Sequence, residues 1–156
     1  MTAPGTHKSR PNLVALAVSA ALAVCSAREK ALAAQLPVPC GGAACQVPNS
    51  SPRPWLTQGS ASLVQGGNTL TVNQNSASAI LNWQSFNVSA DGKVNFVQPS
   101  SSSVAINNIY QGSVSNIFGS LSSNGVVYLL NQNGVLFGTG STVNVGGLVA
   151  SSHPVG

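Results

Sequence analysis

Residues 125–138 read GVVYLLNQNGVLFG: a run of β-formers, a four-residue polar knot, and a second short β-type run. Val, Tyr, Leu and Phe suit a pleated surface, whereas Asn and Gly punctuate it. The knot is therefore a turn between two strands, and the open question is whether it also carries a recognition signal. Residues 92–98 (GKVNFVQ) and 125–131 (GVVYLLN) share a frame of Gly, apolar residues at +2 and +4, and an amide at +6. Residues 67–74 (GNTLTVNQ) repeat it one position out of phase. Period-2 alternation recurs in LTVNQ (70–74), KVNFVQ (93–98), SVAIN (103–107) and TVNVG (142–146), and no long window carries apolar residues at helical spacing. The chain is expected to be all-β. Short strands with Gly and Asn at their corners, at irregular intervals, suit a solenoid of stacked coils with aliphatic residues inside.

Charge supports the same architecture. Charged residues make up 5% of the chain, and the net charge of +4 comes from the N-terminal third. Lys8, Arg10, Arg28, Glu29, Lys30 and Arg53 precede residue 54, and only Asp91 and Lys93 follow it. Like charges stacked in register would repel, so a solenoid favours few of them. A nucleic-acid partner is not expected, because neutralising phosphates takes a patch of Lys and Arg that the rest of the chain lacks.

The first 33 residues read as a secretory signal peptide. MTAPGTHKSR supplies a basic start, and residues 13–27 (LVALAVSAALAVCSA) supply an apolar run shorter than the roughly 20 residues of a membrane span. Ala31 and Ala33 favour a cut after Ala33 over one near Ala27. Such a leader implies the general secretion machinery and signal peptidase as partners. Residues 34–57 are expected to be an extended linker, since Pro37, Pro39, Pro48, Pro52 and Pro54 each remove a donor and fix φ. Order is expected to begin near Trp55. Cys40 and Cys45 lie within this stretch, and in an oxidising compartment they are expected to form a small disulfide loop.

Residue inventory argues against an enzyme. Glycoside hydrolysis generally takes two carboxylates, and the chain after the leader has Asp91 alone. No metal or other cofactor is expected either: a C-x4-C pair supplies too few ligands, and His153 sits far away beside a proline. Trp83 and Phe86, in NWQSFNV, look like large residues that close the early coils against a cap, and Phe96, Phe118 and Phe137 are expected in the interior. Tyr110 and Tyr128 fit either side of a strand.

From Gly59 to Ser152 the chain resembles the haemagglutination-activity domain of filamentous haemagglutinin-type proteins, the two-partner secretion domain of large exported adhesins. The matching pieces are GSASLVQGGNTLTVNQNS, LNWQSFNVSADGKVNFVQPSSSSVAIN, SNIFGSLSSNGVVYLLNQNGVLFG and STVNVGGLVASS, in the family's order. The resemblance implies a right-handed parallel β-helix, capped at its N-terminus, whose secretion part spans residues 58–156 and whose further coils lie beyond them. It also implies recognition by an outer-membrane β-barrel partner and a place at the cell surface or in the medium, serving adhesion. The family's Asn-Pro-Asn-Gly motif falls on Asn131, Gln132, Asn133 and Gly134, with Gln in place of Pro. Trp83, Phe86, Asn107, Gly146 and Gly147 fall in the other shared blocks and are assigned structural roles. Residues 107–109 (NNI) stand where many relatives carry Asn-Arg before an aliphatic residue, and the family's second motif, Asn-Pro-Asn-Leu, has no counterpart. The alternative function is an adhesive module that binds host or neighbouring-cell surface ligands directly, through its uncharged Ser, Asn, Gln and Thr side chains.

Overall fold

The computed structural model describes residues 33–41, 45 and 51–152. Residues 1–32 of the signal peptide and His153 lie outside the described residues. Three short strands come first: β1 (Val38–Pro39), β2 (Leu56–Gln58) and β3 (Ala61–Gly66). Four stacked coils follow. The first holds β4 (Thr69–Gln74) and β5 (Ser78–Ser85), the second β6 (Lys93–Val97), β7 (Val104–Ile109) and β8 (Ser115–Ile117). The third holds β9 (Ser120–Ser123), β10 (Val126–Asn131) and β11 (Val135–Phe137), and the fourth β12 (Thr142–Asn144) and β13 (Gly147–Ser151). Like strands pair parallel between coils, β4-β6-β9-β12 on a first face and β5-β7-β10-β13 on a second. Val88, β8 and β11 make a short third face. The chain is a parallel β-helix.

Alternation decides the interior. Leu70, Val94, Leu121 and Val143 form one inward column, and Ala79, Ala105, Val127 and Leu148 another. Those of the first three coils are buried, while Val143 at the last coil is 38% exposed because no coil covers it. Each buried aliphatic side chain contributes roughly 1.5–3 kcal/mol relative to exposure. The shared frame of residues 92–98 and 125–131 does not mark stacked neighbours: β6 lies on the first face and β10 on the second. The out-of-phase copy is the one that stacks, with Leu70 opposite Val94 and Val72 opposite Phe96. Every face alternates in the same way, so alternation alone does not identify a face.

The proline-rich stretch departs from the linker expectation. It is extended, but part of it is packed from Gln35 onward. Leu36 is 7% exposed in the main core, and Gln35 O accepts a bond from Ser89 N at 3.0 Å. The strand β1 runs antiparallel to β5, with Pro39 opposite Trp83, and Cys40 N donates to Asn82 O at 3.0 Å. Next, β2 pairs antiparallel with β5, and Asn82 N donates to Trp55 O at 2.6 Å. Finally β3 pairs antiparallel with β4 along its whole length. These segments cover the open edge of the first coil. Proline is tolerated there because the outermost strand needs donors on one side only. Arg53 lies over the Tyr110 ring, 5.5 Å from its centroid, and Cys40 and Cys45 are bonded and buried within the cap.

Aromatics close this end. Trp55 meets Trp83 edge-on at 6.1 Å, and Trp83 meets Phe86 edge-on at 5.3 Å, the quadrupole-favoured arrangement. Phe96 is buried and Phe137 half-buried against the core. Phe118 corrects the sequence reading: it is 40% exposed. It follows the inward-facing Ile117, so it turns outward, and its ring occupies the space where a Cβ on Gly138 would lie. Gly146 is fixed by a similar approach, since a Cβ there would meet Gly125 O at 2.9 Å, whereas Gly147 would have ordinary contacts with Val126.

Asn107 interrupts an aliphatic column, standing between Leu81 and Leu129 with no exposure. Its Oδ1 accepts from Trp83 Nε1 at 2.8 Å, and its Nδ2 donates to Tyr128 O at 3.0 Å and Ala105 O at 3.3 Å. Asn107→Ala leaves the buried Trp83 indole without its acceptor, so urea unfolding should show a loss of about 1–3 kcal/mol. The outward-facing Asn95→Ala should stay within about 0.5 kcal/mol. A second test addresses the cap. Leu36→Asp should cost on the order of 3 kcal/mol and make the protein self-associate in light scattering, as the β5 edge opens. A loose linker would leave both measurements unchanged.

Candidate functional site

The polar knot at residues 131–134 turns the chain from the second face to the third. Gly134 N donates to Asn131 O at 2.9 Å, closing a β-turn, and Asn131 Oδ1 accepts from Asn133 N at 2.9 Å, an Asx turn inside it. Gly134 has φ +95°, a conformation open to glycine at no steric cost. A Cβ there would meet nothing within 4 Å, so the demand at this position is conformational rather than one of space. Asn131 belongs to the inward column below Trp83 and Ile109 and has no exposure. Gln132 and Asn133 form the exposed tip.

The turn is tied to the coil before it by carboxamides. Asn131 Nδ2 donates to Ser113 O at 3.1 Å and Ser115 Oγ at 2.9 Å. Asn133 Nδ2 donates to Gln111 O at 3.0 Å, and Ser115 N donates to Gly134 O at 3.0 Å. Gln111 in turn reaches the first coil. Its Oε1 accepts from Phe86 N at 2.8 Å, and its Nε2 donates to Val114 O at 2.8 Å and Ser113 O at 3.0 Å. Asn87 Oδ1 completes the ladder by accepting from Asn116 N at 2.9 Å. Three successive coils are thus laced at one corner by Asn87, Gln111 and the 131–133 turn.

A second ladder runs along the corner between the first and second faces. Gln98 Nε2 donates to Gln74 Oε1 at 3.3 Å, and Gln98 N and O pair with the Asn124 amide at 2.7 Å each. Gln74 Nε2 donates to Ser76 O at 2.7 Å and Val104 O at 3.1 Å, and Ser123 Oγ donates to Gln98 Oε1. The amide at +6 of the sequence frame is therefore a corner brace, but Gln98 and Asn131 brace different corners. Gln74 is the amide of the out-of-phase copy, whereas sequence reading missed Gln111, Asn87 and Asn124. Their only signal is an amide soon after each strand, and the unequal coil lengths hide it.

Of the residues singled out from sequence, the fold brings Trp83, Phe86 and Asn107 together near the cap. Asn131 lies two coils below Trp83 in the same column. Gly146 and Gly147 lie at the other corner, and Cys40 and Cys45 in the cap. Among the described residues, Arg53, Asp91 and Lys93 carry the side-chain charges, so the 131–134 corner acts through dipoles and hydrogen bonds. No group of three or more His, Cys, Asp or Glu among them gathers as metal ligands.

The outer faces differ in chemistry. On the first, Thr71, Asn95, Ser122 and Asn144 form one outward column and Thr69, Lys93, Ser120 and Thr142 another. On the second, Ile80, Ile106, Tyr128 and Val149 form an apolar one.

Comparison with known proteins agrees with this geometry. The family model described as TPS secretion domain matches residues 51–154. A heme/hemopexin-binding protein of Haemophilus influenzae (strain Rd) is 39% identical over 94 residues, which are 60% of this chain and 10% of that protein. A second heme/hemopexin-binding protein of Haemophilus influenzae is 41% identical over 83 residues, 53% of this chain and 9% of that one. The chain thus spans about a tenth of the length of the curated relatives it matches. The crystal structure of the HMW1 secretion domain from Haemophilus influenzae is similar with a TM-score of 0.62 and 31% identity, covering 65% of this chain and 27% of that one. TPS secretion domains are parts of exported proteins that an outer-membrane transporter partner recognises, and they are not an enzyme family. The matched residues take in the last cap segments and all four coils, and the chain belongs to the two-partner (TPS) secretion domain family.

Proposed function

We propose that this domain is the export address of a longer, filamentous haemagglutinin-like exoprotein. The general secretion machinery delivers the chain across the inner membrane, signal peptidase removes residues 1–33, and an outer-membrane β-barrel partner then recognises residues from about Trp55 onward. The exported protein serves adhesion at the cell surface or in the medium. The observation that carries this reading is the division of labour in the 131–134 turn. Asn131 is buried and committed to Ser113 and Ser115, whereas Gln132 and Asn133 present polar groups at an exposed tip. A neutral, rigidly held tip suits recognition by shape and hydrogen bonding, with no charge to desolvate.

The second reading, direct binding of neutral surface glycans, draws on the outward hydroxyls and amides of the first face. A shallow groove of ≈ 470 Å³ lies there, lined by Asn95, Val97, Ser122, Asn124 and Asn144 among others. Glycan-array binding by the isolated domain would favour it.

Export of a reporter fused to this chain, with and without a co-expressed cognate barrel, tests the main reading. Release should depend on the barrel, and equal release in both cases sinks the proposal. Single substitutions then separate folding from recognition. Asn131→Ala should cost about 1–3 kcal/mol, because it leaves the buried Ser115 hydroxyl without its donor and removes the Asx turn, and export should fall with stability. Gly134→Val puts a β-branched residue at positive φ, so it should cost on the order of 1–3 kcal/mol. Asn133→Ala removes one exposed bond worth about 1 kcal/mol, and export should fall more than melting does. Normal export by Asn133→Ala would remove the tip from the recognition argument.

A further inference from the structure

The chain has two Asn-Gly steps, Asn124-Gly125 and Asn133-Gly134. This dipeptide has a reaction of its own. The backbone nitrogen of the glycine, once it loses its proton, attacks the Asn side-chain carbonyl carbon. A new N–Cγ bond closes a five-membered succinimide and the side-chain nitrogen leaves as ammonia. Water then opens the ring at either carbonyl, giving aspartate or isoaspartate. The sum is one amide and one water converted to one carboxylate and one ammonium. A following glycine permits the attack because no side chain blocks the nitrogen.

The fold treats the two steps differently. Asn124 is pinned at both ends of its amide by the Gln98 backbone at 2.7 Å, and Gly125 N donates to Ser123 Oγ at 3.0 Å. A Cβ on Gly125 would lie 2.6 Å from Gln98 Oε1 and 2.7 Å from Ser103 O, so this glycine is crowded. Asn133 is exposed at the tip, and the space beside Gly134 is open. Two contacts restrain the reacting groups there. The Gly134 N–H is held by Asn131 O at 2.9 Å, and Asn133 Nδ2 is held by Gln111 O at 3.0 Å. The first belongs to the turn itself, and the second exists only when the third coil is docked on the second.

We infer that Asn133 is a fold-gated deamidation site: it reacts while the chain is unfolded or the corner is open, and docking of the third coil protects it. The product is self-defeating for the corner. A carboxylate at 133 has no N–H to give to the Gln111 carbonyl and sets acceptor against acceptor, while an isoaspartate lengthens the backbone inside a four-residue turn. A chain kept waiting unfolded thus loses the latch between its second and third coils. That this would lower export rests on the function proposed above; the chemistry does not.

The purified protein is incubated in mildly alkaline buffer, folded and in urea, and chymotryptic peptides are followed by mass spectrometry that resolves aspartate from isoaspartate. In urea, both Asn133 and Asn124 should convert. In the folded protein Asn133 should slow by about tenfold or more, as for any group that must wait for local opening, and Asn124 further still. Equal rates at Asn133 in both conditions overturn the gating, as does faster conversion of Asn124 than Asn133 in the folded protein. Asn133→Asp, made directly, should fold but lose hydrogen-exchange protection at Gly134 and Ser115. Unchanged protection there overturns the unlatching. Barrel-dependent export of the wild-type reporter, run alongside, separates failure of the export reading from failure of this one.

Discussion

The first three coils of this molecule are joined by carboxamides that reach the backbone of a neighbouring coil. A solenoid turns its chain at polar corners, where backbone groups leave the strand ladders and need other partners. Side chains do much of this pairing. Asn131 satisfies Ser113 O, Gln111 reaches Phe86 N, Gln98 reaches Val126 O, and Asn107 reaches Tyr128 O in the middle of a face. Aliphatic stacking supplies most of the cohesion, but it is non-directional and would tolerate a shifted coil. The amides set the register.

The molecule is closed at one end. Residues from Gln35 through β3 run against the first coil in the opposite direction and occupy the backbone groups along its edge. Trp55, Trp83 and Phe86 fill the space beneath them. An unpaired sheet edge invites association, and an antiparallel cover removes that hazard without adding a coil. At the other end the fourth coil leaves Val143 exposed and Val145 and Leu148 only partly buried.

The outer faces carry a second asymmetry. A polar, nearly uncharged first face and an apolar column on the second give the domain distinct sides at constant backbone geometry. The short third face adds exposed Val114 and Leu136 close to the 131–134 turn, and Phe118 at its far end beside Gly138. The tip of that turn therefore stands at the boundary between polar and apolar surface. Both kinds of contact are available to a partner there, and neither requires stripping water from a charge.

The all-β class and the solenoid architecture were legible in the residues themselves, because alternation and the turn chemistry of Asn and Gly are local properties of the chain. The turn at 131–134 was legible for the same reason, and so was the inward place of Phe96. Tertiary structure alone decided which strands stack. Residues 92–98 and 125–131 look alike yet lie on different faces, since every face alternates and the coils differ in length. It also decided that the proline-rich stretch is a cap, because an extended segment and a cap strand share the same backbone and differ only in what lies beside them. Phe118 turned outward by one step of alternation past a corner whose position the sequence does not mark. Gln111 became the hub of the corner because its partners come from coils before and after it, a proximity that no spacing within a single coil encodes.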